Sequence, residues 1–193
     1  SLTDSLLRGK PDNQSVDYST RMQGLNEIFE VTSKPLIFDA DNGGRVEHIP
    51  YLIKSLERIG VSAIVLEDKI GFKRNSLFQD QKKTKQDTMQ GFCKKIKVAK
   101  KTRVTEDFMI VARIESLILK KGLNDALKRA ESYSSAGADA ILIHSKEKTP
   151  NEIFKFAKKF KKSNFYKPLV AVPSSYSKVS EGQLIKNGFK VVI

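Results

Sequence analysis

The 193 residues include no tryptophan and one cysteine, Cys93. A lone cysteine excludes an intramolecular disulfide and a cysteine-built zinc cage. It reads as a small apolar residue on a helix, in a reducing, cytoplasmic setting. Long hydrophobic runs are also missing. The longest, Phe108-Met109-Ile110-Val111-Ala112, falls far short of the roughly 20 residues a spanning helix needs. Neither a membrane segment nor a signal peptide is expected. Glycine-rich phosphate loops are lacking too. Asp41-Asn42-Gly43-Gly44 is not GxGxxG, and no GxxxxGK[ST] occurs, which weakens the Rossmann and P-loop alternatives.

What the chain has in excess is positive charge. Thirty-five Lys and Arg stand against 22 Asp and Glu, a net +13. Such a surface suits an anionic partner: nucleic acid, membrane or a phosphorylated small molecule. The basic runs, at 82–85, 94–103 and 158–162, interleave few aromatics and match no nucleic-acid motif. They read as solvated lysine-rich faces, and no nucleic-acid or membrane partner is expected.

The hydrophobic pattern alternates between two periods. Short β-branched runs stand at 35–40, 62–67, 108–113, 138–144, 168–173 and 189–193. Between them Ile49, Leu52, Ile53, Leu56 and Ile59 form one helical stripe, closed by Gly60. Leu123, Ala126, Leu127, Ala130 and Tyr133 form another, closed by Gly137. Weaker helical patterns cover 16–31, 87–101, 151–161 and 179–186. Strand and helix in alternation over the whole length predict one α/β domain, 1–193, with a parallel sheet. Six strands fit an open doubly wound sheet or most of an eight-stranded barrel. The opening in loop-like sequence and the ending inside an apolar run favour a barrel segment with one strand before Ser1 and another after Ile193.

The strands turn polar where they end. Asp39 and Asp41 share a face in a regular strand, about 7 Å apart. The next strand ends in Glu67 with Lys69 on the same face, the next in Arg113 and Glu115, and the fourth in His144. Four successive polar endings converge where parallel α/β proteins carry their sites. Asp39, Asp41 and Glu67 offer hard oxygen ligands of the kind that suit Mg²⁺ or Mn²⁺. Arg113 and His144 opposite them would receive a small polyanion. The alternative is structural: the carboxylates cap helices or pair with Arg113 and Lys69. His48, at a helix start, reads as a surface residue. A polar loop at 71–76 follows Glu67, and Asp12 stands on a turn after Gly9-Lys10-Pro11.

Asp39-Ala40-Asp41, Leu66-Glu67-Asp68-Lys69, Lys73-Arg74-Asn75-Ser76-Leu77, Ala112-Arg113-Ile114-Glu115, Ala136-Gly137-Ala138-Asp139-Ala140 and Ile143-His144-Ser145-Lys146 occur in one order and spacing. In these motifs the whole chain resembles the phosphoenolpyruvate phosphomutases of the phosphoenolpyruvate mutase/isocitrate lyase superfamily. The resemblance implies a parallel (β/α)₈ barrel, here lacking its first and last strands, whose last helix is exchanged between subunits of a homo-oligomer. It implies a small-molecule substrate, phosphoenolpyruvate or phosphonopyruvate, interconverted with Mg²⁺ as cofactor on the way to phosphonates. Asp39 would hold Mg²⁺, with Asp41 and Glu67 reaching it mainly through water. Asp12 would take or steady the phosphoryl group. Lys73 and Asn75 would lie on a loop that closes over the substrate, and Arg113 and His144 would hold the substrate anion. Ser1 and Leu2 match backbone donors just after the first strand. Asn42 and Phe72 replace the Thr and Pro of many relatives. The lyase branch carries a Lys-Cys-Gly-His loop where this chain reads Lys73-Arg74-Asn75-Ser76, which argues against carbon–carbon cleavage. Phosphonopyruvate hydrolases have almost the same residues and are the nearest alternative.

Overall fold

A computed structural model describes residues 2–71, 73–77 and 84–193. In chain order the elements are α1 (Leu2–Leu7), α2 (Tyr18–Val31), β1 (Ile37–Asp39), a 3₁₀ turn (Val46–His48), α3 (Ile49–Ile59), β2 (Ala63–Glu67), β3 (Lys69–Ile70), β4 (Lys85–Gln86), α4 (Met89–Thr102), β5 (Met109–Ile114), α5 (Gly122–Ser135), β6 (Ala140–Ile143), α6 (Asn151–Phe160), β7 (Leu169–Ala171), α7 (Glu181–Lys186) and β8 (Phe189–Val192). All six expected strands form, each trimmed by one to three residues, except that β5 runs one residue further to Ile114. Three features differ from expectation. The opening stretch is a short helix, α1. Lys69–Ile70 and Lys85–Gln86 pair as a small antiparallel ribbon. The first strand stops at Asp39, before Asp41.

Helix boundaries follow from capping chemistry. Asp17 accepts the Thr20 N–H at 2.8 Å and starts α2. Thr88 does the same for α4 through Gly91 at 2.9 Å. Ser180 and Gln183 make a reciprocal capping box on α7. Gly60 ends α3 in the left-handed region, with φ of 102°.

The main sheet has the order β1-β2-β5-β6-β7-β8, and every neighbouring pair is parallel. The order never reverses, as it would at the crevice of a doubly wound sheet. The two faces differ as well. Ile64, Leu66, Ile110, Ala112, Ile114, Ile141, Ile143, Leu169 and Ala171 pack in one core with the apolar stripes of the helices. Ala63, Val65, Val111, Ala140, Leu142 and Val170 form a second core, joined by Ile37 and Val172 and, among the described residues, by no helical one. Helices thus cover one face, and the described lining of the other comes from the strands and the residue after β7. A sequential parallel sheet with that division is the wall of a (β/α)₈ barrel, six strands of it.

Parity then places the site. Side chains alternate, so the inward positions beyond Ile37, Val65, Val111 and Leu142 are Asp39, Glu67, Arg113 and His144. The apolar inner core ends where these four begin.

Candidate functional site

Arg113 and Glu115 occupy successive inward positions at the end of β5. Arg113 Nε donates to Glu115 Oε1 at 2.6 Å, and Arg113 Nη2 lies 2.8 Å from His144 Nδ1 and 3.6 Å from Glu67 Oε2. His144 Nδ1 is also 3.2 Å from Glu115 Oε1. One ring nitrogen cannot both accept from the guanidinium and donate to the carboxylate. The shorter contact is to Arg113, always a donor, and that tautomer leaves the proton on Nε2. Burial first, and then Arg113, pushes the imidazole below its ordinary pKa, so the ring is neutral at pH 7.

Ser76 ties the loop to this group. Its hydroxyl donates to Glu115 Oε2 at 2.6 Å and accepts from Lys69 Nζ at 2.7 Å and Arg113 Nη2 at 2.9 Å. Lys69 Nζ also donates to the Arg74 carbonyl at 2.9 Å and stands 3.5 Å from both Glu67 and Glu115. Glu115 is fully buried. Burial alone would raise its pKa, but Arg113 first and then Lys69 hold it well below the carboxylate range. Glu67 shares those cations less closely. Burial, with repulsion from Glu115 and Asp39, carries it to about 7 against the pull of Arg113 and Lys69. The alternative drawn from sequence, that Glu67 pairs with Arg113 and Lys69, therefore describes this conformation.

A second group lies at the end of β1. The expectation that Asp39 and Asp41 alternate onto one strand face fails, because the strand ends first. Asp41 has φ of 52°, and its N–H turns back to Asp39 Oδ1 at 3.0 Å. Gly43, with φ of 73°, continues the turn, and a Cβ there would meet Leu66 Cδ2 at 2.8 Å. The turn still delivers Asp41 to the site. Its carboxylate pairs with Lys73 Nζ and, at 3.5 Å, with Arg21 Nη1. Lys73 Nζ also reaches Asp12 Oδ1 at 2.6 Å, so one loop lysine bridges acids from two other loops. The two aspartates of the turn differ electrostatically. Burial raises Asp39, but Arg113 and Lys73 outweigh it and the net direction is down. Burial and the Asp39 charge raise Asp41.

Asn75 is half-buried, and its Oδ1 accepts the Leu77 N–H at 2.9 Å, within its own loop. Leu2 opens α1; Ser1 and Phe72 lie outside the described residues. His48 is exposed, as expected, and Cys93 is half-buried on α4 with Sγ 3.5 Å from the Ser132 carbonyl. The sequence reading missed Arg21. Its guanidinium lies 4.3 Å over the Phe38 ring, donates to the Asp39 carbonyl and pairs with Asp41. The available signal was its place in the stripe Tyr18, Arg21, Leu25, a charge where a core residue belongs.

Among the described residues no three His, Cys, Asp or Glu side chains gather closely enough to cage a metal by themselves. The donor set nonetheless suits a hard cation. Asp39 is an ionised oxygen donor beside two further carboxylates, and Mg²⁺ takes one or two protein carboxylates and fills its octahedron with water and substrate. No helix among the described residues is long and apolar enough to cross a membrane.

The family model described as phosphoenolpyruvate phosphomutase matches residues 1–193. A phosphoenolpyruvate phosphomutase of Tetrahymena pyriformis is 39% identical over 193 residues, all of this chain and 63% of that protein. A phosphonopyruvate hydrolase of Variovorax sp. (strain Pal2) is 39% identical over 177 residues, 90% of this chain and 59% of that protein. The crystal structure of a phosphoenolpyruvate phosphomutase from Streptomyces platensis subsp. rosaceus superposes with a TM-score of 0.90 at 31% identity, covering 97% of this chain and 64% of that one. A phosphonopyruvate hydrolase in complex with oxalate and Mg²⁺ superposes with a TM-score of 0.87 at 34% identity, covering all of this chain and 65% of that one. The chain spans less than two thirds of the length of these proteins.

Proposed function

The chain belongs to the phosphoenolpyruvate phosphomutase family, and from that premise we propose that the protein carrying it is an isomerase interconverting phosphoenolpyruvate and phosphonopyruvate. The observation that carries this reading is the bridge made by Lys73 between Asp12 and Asp41, set beside the Arg113–His144 pair. It gives one end of the site to an anion and the other to a group that moves between acids and a cation.

In this reading Arg113 and the Nε2–H of neutral His144 hold the carboxylate and enol oxygens of a pyruvate unit. Glu115 and Ser76 fix Arg113 so that its remaining donors face the substrate. Lys73 and Asn75 neutralise the phosphoryl oxygens, with Asn75 giving up its contact to Leu77. In the forward direction the enol oxygen–phosphorus bond breaks and a bond forms between phosphorus and C3 of the same molecule. Asp12 takes or steadies the phosphoryl group between the two, and Lys73 offsets the charge of Asp12 as it does so. Asp39 would hold Mg²⁺, with Asp41 and Glu67 acting mainly through its waters; the ion neutralises the enolate when bound. Exclusion of water separates this chemistry from hydrolysis. The reading extends to a homo-oligomer in the cytoplasm with no nucleic-acid or membrane partner.

Product analysis tests the reaction. The full-length protein should turn phosphonopyruvate into phosphoenolpyruvate. Release of pyruvate and free phosphate would make it a hydrolase instead. Asp12→Ala and Asn75→Ala, each in the full-length protein, should lose turnover by about 10²-fold or more, the scale of removing one group that acts in the transition state. A variant that keeps the parent rate removes that residue from the mechanism.

A further inference from the structure

Behind the strand ends a second polar cluster is buried in the helix layer. Asp68 follows Glu67 and points to the opposite side of the sheet, with no exposed surface. Its Oδ1 accepts the Glu115 N–H at 2.9 Å. Its Oδ2 accepts from Gln86 Nε2 at 2.7 Å, the Tyr133 hydroxyl at 2.8 Å and Arg129 Nη1 at 3.2 Å. Its backbone joins the Arg113 carbonyl at 3.1 Å and the Asp87 N–H at 2.8 Å. Arg129 completes the cluster. Nη1 also donates to the Asp87 carbonyl and the Tyr133 hydroxyl, and Nε to Asp125 Oδ2, each within 2.9 Å. Asp125 Oδ2 in turn accepts from the Ser116 hydroxyl at 2.7 Å.

A buried ion pair of this kind adds little net stability compared with apolar packing, because desolvation offsets its attraction. What it supplies is fixed geometry. It holds the Glu115 N–H and the Arg113 carbonyl at the site, and the Gln86 side chain and the Asp87 backbone at and just after β4. Glu115 in turn aims Arg113.

We propose that Tyr133 and Arg129 of α5 are positioning residues for substrate-anion binding, acting through Asp68 and Glu115 on Arg113. This rests on the reading of Arg113 and His144 as the anion holders. Tyr133→Phe removes one hydroxyl and keeps the ring against Phe92, 4.7 Å away between centroids. Arg129→Lys keeps the charge but cannot span Asp68, Asp87 and Asp125.

The test is a double-mutant cycle in the full-length protein with Arg113→Lys. It reads oxalate affinity in the presence of Mg²⁺ by calorimetry, and kcat and KM for phosphonopyruvate. Tyr133→Phe should weaken oxalate binding and lower kcat/KM by about tenfold, mostly through KM. In the Arg113→Lys background the same change should cost less than about twofold, because its route to the anion is already broken. Arg129→Lys should follow the same pattern and serves if Tyr133→Phe does not fold. Equal losses in both backgrounds overturn the proposal and leave the cluster a purely structural one. A parent that binds oxalate but does not turn over phosphonopyruvate defeats the assigned reaction, while the oxalate cycle still decides the positioning role. A parent that binds neither compound defeats both.

Discussion

Asp39→Ala in the full-length protein is expected to abolish divalent-dependent turnover while leaving the protein folded. The two halves of that expectation come from different contacts. The described cations around Asp39 keep other partners when its carboxylate goes. Arg113 retains Glu115 at 2.6 Å, and Lys73 retains Asp12 and Asp41. Arg21 meets Asp39 through the backbone carbonyl, which the substitution preserves. No buried charge is stranded, so the unfolding midpoint should move little. Turnover should fall far more. Asp39 is the carboxylate of the turn held down in pKa, and it stands at the last inward position of β1. A cation polarising an enolate oxygen is worth several kcal/mol in the transition state, about 10³-fold in rate at 25 °C. The measurement is turnover against Mg²⁺ concentration, beside a thermal melt of each protein. Parent-like Mg²⁺ dependence in the variant would assign the metal elsewhere.

The strand ends were legible because period 2 survives in a parallel sheet buried on both faces. Val65 and Glu67, Val111 and Arg113, and Leu142 and His144 each sit two residues apart, and each pair shows where apolar interior becomes site. Asp41 was legible as a member of the candidate cluster and misplaced in geometry. An alternation rule holds only while the backbone stays extended, and the left-handed Asp41 has already left the strand. The β3–β4 ribbon has two residues in each strand, too few for any period to emerge. Arg21, Tyr133 and Arg129 were hidden for another reason. They lie on helices that read as ordinary stripes, and their contacts reach to residues 18–65 positions away. A charge on an apolar stripe, as at Arg21, can be seen in local sequence, but the distant carboxylate that it meets cannot. The tie between Ser76 and Glu115, 39 positions apart, falls in the same class. The residues were visible at a loop and a strand end, and the bond between them was not.

Glu115→Ala should destabilise the full-length protein by about 3–5 kcal/mol, the range for removing one partner from a buried ionic network. Glu115 has no exposed surface and faces Arg113, Lys69, His144 and Ser76 together. Without it, Glu67 is the remaining carboxylate among the described residues within 4 Å of Arg113 and Lys69, at 3.6 Å and 3.5 Å. A buried lysine and a half-buried arginine would then share one acid that burial already disfavours in its charged form. Urea unfolding measures the effect as a lower midpoint with an unchanged slope. Glu115→Gln keeps the shape and isolates the charge, and its pH dependence carries the sign. The folded pKa of Glu115 lies well below its unfolded value of about 4.3. Its contribution is therefore fully present above that unfolded value and is lost as pH falls through the folded one. The stability gap between parent and Glu115→Gln should narrow steadily below about pH 4. A gap that stays the same size into strong acid would mean that the ionised carboxylate is not what holds Arg113 and Lys69 in place.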